Sequence, residues 1–407
     1  MQIIKLLYME RPFPLKRRTA MLATEKAGFL QRHKIVTEIM KQLDSTNIKI
    51  LSTMWETGPR NLLEVSRKTG IPFTSVYHRV GKIEAKSKRL ATVIPQVSKL
   101  GMMKIVLLTA ASPGSEENVT TALKIPNLWR SVNRCEGAFT HLSIHVVPVQ
   151  FMKHFKTYLK RLSESGLIKQ SKMFLTGEYI PNFPAFKYYD PSSNQWTFDW
   201  ERWLNALKRD PTKTIEDPES YAMLADEKDL IIIKELEKNA RKSFAEIAPL
   251  MGISLQGVKY HYDKKLVPSE IVKYFGYDVW PYPEEVSAYH EVFLKFTSTI
   301  EMNRFYSLVR ELFFVLGVSK VLHENSLLVR TYTLQNQVWS MFSFFSQMAK
   351  EGIIESYSSV RQDFSGRETQ SISFELFDSE KGWTFDLDNC LSDLAKLTQL
   401  VPAVQKV

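Results

Sequence analysis

Between residues 74 and 82 the chain sets hydroxyl, imidazole, guanidinium and ammonium groups at helical spacing. At about 100° per residue, Thr74, Ser75, His78 and Lys82 leave one side of a helix, with Tyr77 and Arg79 on its flanks. These groups suit duplex DNA: a guanidinium donates twice to guanine, hydroxyls and imidazoles meet other base edges, and ammonium groups neutralise phosphates. Arg79 is accordingly the candidate for a bidentate guanine contact, with Ser75 and His78 as further base-edge candidates. Lys82, Lys86, Lys88 and Arg89 are the phosphate candidates. A second set follows at an offset of 182, with Gln256, Tyr260 and Lys264 outward and Lys259 and His261 at the edges.

Other chemistry is not signalled. The sequence has no Gly-rich phosphate loop, serine nucleophile elbow or His-Glu-x-x-His helix. His141 and His145 share a face of one strand, but four residues at about 3.3 Å each part them by about 13 Å, too far for one metal. His154, His290 and His323 are isolated, and Cys135 and Cys390 make neither a disulfide framework nor a zinc ribbon. The expectation is no catalytic residue, no cofactor and no metal, in a protein that is not an enzyme.

The elements that would position the first set are three short helices. Ile48, Leu51 and Trp55 share one face, Leu62 and Val65 line a second helix, and Thr69-Gly70-Ile71-Pro72 makes a tight turn. Val76, Val80 and Ile83 then face inward at i, i+4 and i+7. This is a helix-turn-helix, followed at Arg89–Ile94 by a wing strand. Val65, Gly70, Ile71, Val76 and Lys82 recur as Ile247, Gly252, Ile253, Val258 and Lys264, and Ser254 is the N-cap expected for the second reading helix. After each unit come strand, helix, two strands, helix and strand, the ferredoxin-like arrangement. In the first copy the closing strand is expected over 171–179; in the second, a helix over 302–314 and strands over 319–323 and 356–362. Trp196-Thr197-Phe198-Asp199 recurs as Trp383-Thr384-Phe385-Asp386, and these aromatic tails are expected to cap each sheet. A period near half the chain marks a duplicated two-part module.

The fold class expected is α+β, with two winged helix-turn-helix domains each followed by a ferredoxin-like βαββαβ domain. The division is a basic arm and helix over 1–46, winged unit one over 47–100, ferredoxin-like domain one over 101–200, a linker over 201–226, winged unit two over 227–286 and ferredoxin-like domain two over 287–407. The net charge of +10 is uneven: residues 47–104 carry eleven Lys/Arg against three Glu, residues 226–286 nine against eleven acidic groups. The first unit is thus the better suited to a polyanion, and the arm Arg11–Arg18 could extend along its backbone. With no apolar run of about 18 residues and no signal-peptide cleavage pattern, a cytoplasmic protein without a membrane partner is expected.

On the residues Gly70-Ile71-Pro72 through Val76-Tyr77-His78-Arg79-Val80, Gly252-Ile253-Ser254 through Val258-Lys259-Tyr260-His261-Tyr262, and the connector Ile94-Pro95-Gln96-Val97-Ser98-Lys99-Leu100-Gly101, the chain resembles the Lrp/AsnC (feast/famine) transcriptional regulators, in a tandem, archaeal-type form. The resemblance spans roughly 47–179 and 229–362. It implies a winged helix-turn-helix joined to a RAM-type ligand and dimerisation domain, and hence a sequence-specific DNA-binding regulator. Sheet-to-sheet pairing of the two copies within one chain would imitate a dimer with two non-identical reading heads. Double-stranded DNA is the implied partner, and a homodimer stays open. An amino-acid effector is the family's, but the hairpin Glu136–His141 lacks the acidic residue that usually follows the glycine. Two rivals stand beside this reading. Siroheme decarboxylases look like paired Lrp-type modules converted to haem biosynthesis, although the first reading helix here remains basic and no Arg-rich run follows it. A protein-only interaction scaffold would retard no duplex.

Overall fold

The computed structural model describes residues 44–87, 90–190, 192, 195–277, 286–363 and 366–399. The arm 11–18, the helix expected before residue 44, and Lys88 and Arg89 lie outside these, as does the side chain of Lys86. Head one opens where Asp44 accepts a hydrogen bond from the Asn47 amide at 2.7 Å and so caps α1, Ser45–Thr57. Helix α2, Leu62–Thr69, ends at Gly70 in the left-handed region (φ 71°), and α3 runs over Phe73–Ser87. Ile50, Leu51, Met54, Val65, Val76, Val80 and Ile83 fill its core. Trp55, expected inward, is only half-buried and stacks on Phe183 at 5.7 Å.

Strands β1, Ala91–Ile94, and β2, Met102–Ala111, lead into α4, Glu116–Lys124, then β3, Trp129–Glu136, β4, His141–Pro148, α5, Met152–Glu164, and β5, Ile168–Thr176. The antiparallel order β5-β2-β4-β3 is the ferredoxin-like one. Short strands β6, Ile180–Pro181, β7, Tyr189–Asp190, and β8, Gln195–Trp196, precede α6, Trp200–Ala206. Head two then comprises α7, Glu227–Lys238, α8, Phe244–Met251, α9, Leu255–His261, a π-helical turn Tyr262–Leu266, and β9, Tyr274–Tyr277. A second four-stranded half follows from β10, Ser287–Phe296, α10, Thr299–Leu308, β11, Val315–Lys320, β12, Ser326–Leu334, α11, Val338–Lys350, and β13, Ile354–Gln362, in the order β13-β10-β12-β11, and a short pairing of β13 with β3 joins the two halves into one sheet, with β6 beside β11. The chain closes with β14, Glu368–Thr369, β15, Phe377–Asp378, β16, Gly382–Trp383, and α12, Leu387–Gln399. All three helices of head two start 182 residues after their counterparts, at Glu227, Phe244 and Leu255.

Some boundaries differ from expectation. Strand β5 begins at Ile168 rather than 171, and β13 at Ile354 rather than 356. The helix expected over 302–314 stops at Leu308 and β11 starts at Val315, ahead of the expected 319. The run Leu312–Val315 is buried throughout, and an unbroken apolar run carries no period to distinguish helix from strand.

The two halves interlock. Val106, Leu108, Leu142 and Ile144 of one half share a cluster with Val321, Leu328 and Val360 of the other, and Phe174 stacks on Phe293 at 4.7 Å. At this junction the buried Lys104 donates to Ser319 Oγ at 2.8 Å, and burial pushes its ammonium down to about 7. Arg330 donates from Nε to Glu291 at 2.9 Å nearby. The segment 201–226 is not a free linker: Trp203, Leu207 and Ile215 are buried in the core of the second half. Reciprocally, Cys390 and Leu394 of α12 pack with Val119, Ala122, Tyr158 and Leu162 of the first. The tails thus cap the opposite half, and the repeated aspartate sets where each crossing helix begins. Asp199 accepts from the Arg202 amide at 2.9 Å and Asp386 from the Asn389 amide at 3.0 Å, so each starts a crossing helix.

Candidate nucleic-acid interface

Each head has one wing strand, and the two strands pair with each other. Ala91, Thr92, Val93 and Ile94 lie antiparallel opposite Tyr277, Gly276, Phe275 and Tyr274, so the wing expected as part of head one is a joint between heads. Two arginines staple it. Arg60 donates to the carbonyls of Ala240 (2.7 Å) and Lys242 (3.0 Å) with its guanidinium 4.1 Å from the Phe244 ring centroid, and Arg241 donates to the Pro59 carbonyl at 2.6 Å and to Glu84 at 3.0 Å. Tyr277 adds a hydrogen bond from its hydroxyl to the Met54 carbonyl at 2.7 Å. The heads are therefore joined through backbone and charged contacts, neither of which leaves a pattern in the sequence.

The third helix of each head is left outward. On α3, Thr74, Tyr77, His78 and Lys82 are exposed and Ser75 is half-buried, while Val76, Val80 and Ile83 are inside, as the spacing requires. On α9 and the turn after it, Gln256, Lys259, Tyr260 and Lys264 are exposed. Two of the expected residues have other partners. Arg79 donates to Asp44 Oδ2 at 2.7 Å and to Asn47 Oδ1 at 3.0 Å, so its guanidinium ties α3 to the start of α1 rather than reaching toward a base. His261 is half-buried with Nδ1 2.6 Å from Asp229 Oδ1, and this ties α9 to the start of α7. Position 79 plus 182 is 261, and Asn47 plus 182 is Asp229, so both heads use the same position for the same tie. Phe73 lies three residues before Val76, a spacing that on periodicity alone would place it in the core. It is 45% exposed, since the first turn of α3 projects beyond the core that the later turns fill.

Asp226, Asp229 and His261 bring one potential ligand atom each within 4.8 Å of one another. The positive charge at this cluster comes from Lys265, 2.6 Å from Asp226, and the Asp226–Asp229 pair forms the capping box of α7. Its chemistry is that of a helix cap. The buried histidines are likewise structural: His141 bonds Thr120 and Thr140 at 3.0 and 2.8 Å, His145 bonds Ser143 at 2.9 Å, and burial lowers them to about 4 and about 3.

A family model described as winged helix-turn-helix DNA-binding matches residues 226–264, which are the three helices of head two. No curated protein sequence matches. Among solved structures, the siroheme decarboxylase NirDL is 9% identical over 86% of this chain and 97% of its own, with a TM-score of 0.48. An AsnC family transcriptional regulator from Agrobacterium tumefaciens is 17% identical over 33% of this chain and 89% of its own, with a TM-score of 0.27. A transcriptional regulator in complex with L-Met from Neisseria meningitidis is 17% identical over 33% of this chain and 88% of its own, with a TM-score of 0.27. At these identities the likeness is one of fold. The expectation of a chain that is not an enzyme is corrected here, because the two structures that share 86% of its length are both of an enzyme, the siroheme decarboxylase. No helix among the described residues is long and apolar enough to cross a membrane. The chain thus holds a winged helix-turn-helix unit in a mixed α and β fold with ferredoxin-like sheets.

Proposed function

We propose that the chain is a sequence-specific DNA-binding regulator of the Lrp/AsnC type, in which one duplicated polypeptide acts as its own dimer. The observation that carries this is the cross-paired wing, which joins two helix-turn-helix heads while leaving α3 and α9 exposed. The reciprocal exchange of α6 and α12 supports the same reading, since it ties the halves as subunits are tied. In this reading Thr74, Ser75, Tyr77 and His78 on head one, with Gln256, Lys259 and Tyr260 on head two, meet base edges, and Lys82 and Lys264 meet phosphate; the exposure of all but the half-buried Ser75 supports it. Lys86, Lys88 and Arg89 extend the cationic series in sequence. An amino-acid effector of the kind named for the Neisseria regulator, and a cytoplasmic location, belong to this reading.

The test is a fluorescence-anisotropy titration of the full chain against genomic duplex fragments at several salt concentrations. Binding should weaken as salt rises, and Lys82→Ala should lower affinity evenly across sequences while reducing the log–log salt slope by about 1. A chain that binds no duplex but shifts the Soret band of added siroheme from its free position would overturn the regulator and leave the decarboxylase reading in its place.

A further inference from the structure

The first two turns of α3 offer no unengaged guanidinium and no carboxamide for a bidentate pair with guanine or adenine. Arg79, the only arginine of the helix, is held by Asp44 and Asn47, and Phe73–Ser87 contains no Asn or Gln. Two of the side chains that stand in solvent there, beside Thr74 and His78, are large rings. Phe73 is 45% and Tyr77 57% exposed, with ring centroids 6.2 Å apart, and the His78 ring lies 6.0 Å from that of Tyr77. Thr74 adds a methyl group between them in sequence, and Lys82 stands one turn further on. Neighbouring exposed rings make a contiguous apolar patch, the kind of surface that marks a contact site when it is large enough.

Helix-turn-helix geometry says which partner surface would face them. The amino-terminal turns of the second helix meet base edges in the major groove. Of the groups displayed there, one is apolar: the C5-methyl of thymine, which aromatic rings and the threonine methyl recognise by contact. Head two differs, since its exposed set includes Gln256, which can pair with adenine N6 and N7, together with Lys259. We infer that head one reads thymine methyl groups through Phe73, Thr74 and Tyr77, so that its half of the binding site is a thymine-bearing tract. This rests on the DNA-binding reading above and specifies the sequence that head one selects.

The probe is a fluorescent A·T-rich duplex bound by the full chain, compared with the same duplex carrying deoxyuridine in place of thymidine. Loss of each contacted methyl should weaken binding by about fourfold, the equivalent of one buried methylene. Phe73→Ala and Tyr77→Ala should weaken binding to the thymidine duplex and abolish its advantage over the deoxyuridine one. Tyr77→Phe should retain both, because the ring remains. Equal affinity for the two duplexes would overturn the inference while leaving DNA binding intact; absence of binding to either would instead overturn the DNA reading itself. Should Phe73→Ala and Tyr77→Ala leave duplex affinity untouched but change the mass of the chain in solution, the aromatic patch is a protein contact and the inference fails.

Discussion

Replacing Arg79 with alanine should destabilise head one without altering the sequence it prefers. The guanidinium is about one-third exposed and Asp44 about half, at 36% and 51%, so the ion pair is partly screened. Such pairs contribute about 0.2–1 kcal/mol, and the added hydrogen bond to Asn47 brings the expected loss to about 1–2 kcal/mol. Burial pushes the Asp44 carboxyl up, but hydrogen bonds from Arg79 and Asn47 more than offset this and hold it below its usual value. A carboxyl with a lowered folded-state value stabilises above its unfolded value and loses that contribution as pH falls through the folded one. The Arg79 effect should therefore fade in strong acid. Asp44→Ala should cost about 1 kcal/mol more than Arg79→Ala, because it also removes the cap of α1.

The assay pairs urea unfolding, followed by the resolved 19F resonance of Trp55 in a chain carrying fluorotryptophan at its eight tryptophans, with anisotropy on a duplex scanned base by base. A double-mutant cycle over Arg79 and Asp44 should return a coupling of about 0.5–1 kcal/mol. If Arg79→Ala leaves the Trp55 transition in place yet relaxes preference at one base pair by about tenfold, the magnitude of a lost bidentate guanine contact, then the tie to Asp44 is incidental and the reasoning fails.

The remaining predictions concern the joints. Arg60→Ala strips the Ala240 and Lys242 carbonyls of their donor and should raise amide exchange in β1 and β9 together; unchanged protection there would show that the strands hold the heads alone. Lys104→Met should remove a pH dependence of stability. With the lysine at about 7 in the folded protein, against about 10.4 unfolded, the unfolded chain binds the extra proton between these values. Wild-type stability gained from this group should then rise with pH across that window, by up to about 1.4 kcal/mol per unit, and the methionine variant should lack the rise. Parallel stability curves for the two proteins would refute it.

Much of the head architecture is written in side-chain period. Val76, Val80 and Ile83 fix which side of α3 is buried, and Gly70 and Gly252 adopt the left-handed conformation that their turns require. What the sequence withheld is what crosses between halves. The pairing of Ala91–Ile94 with Tyr274–Tyr277 is made of backbone hydrogen bonds, which any residue supplies. The crossing of α6 and α12 depends on which of two similar cores each tail reaches, and the repeated Trp-Thr-Phe-Asp marks where those helices start but not where they go. Arg79 shows the same limit within the site. Its flank position on α3 is legible, but its partners lie 35 and 32 residues earlier, at a helix start that no period on α3 can specify.

Those crossings decide how the chain would meet DNA. In an ordinary dimer the distance between reading helices depends on association, and at low concentration a single head binds alone. Here the polypeptide links the heads covalently and β1, β9, Arg60 and Arg241 fix their geometry through hydrogen bonds, so once one head is seated the second acts at an effective concentration set by the fold. The joint is stiff, so the gain is available at one spacing of half-sites. Inserting about five base pairs, half a helical turn, between the two halves of a selected site should rotate one groove away and reduce affinity to that of a single head, while inserting about ten should restore part of it. The loss should be independent of protein concentration, because no second chain is being recruited. A chain that tolerates the half-turn insertion would mean that the wing joint opens on DNA, or that only one of α3 and α9 enters the groove, and footprints over each half would tell these apart.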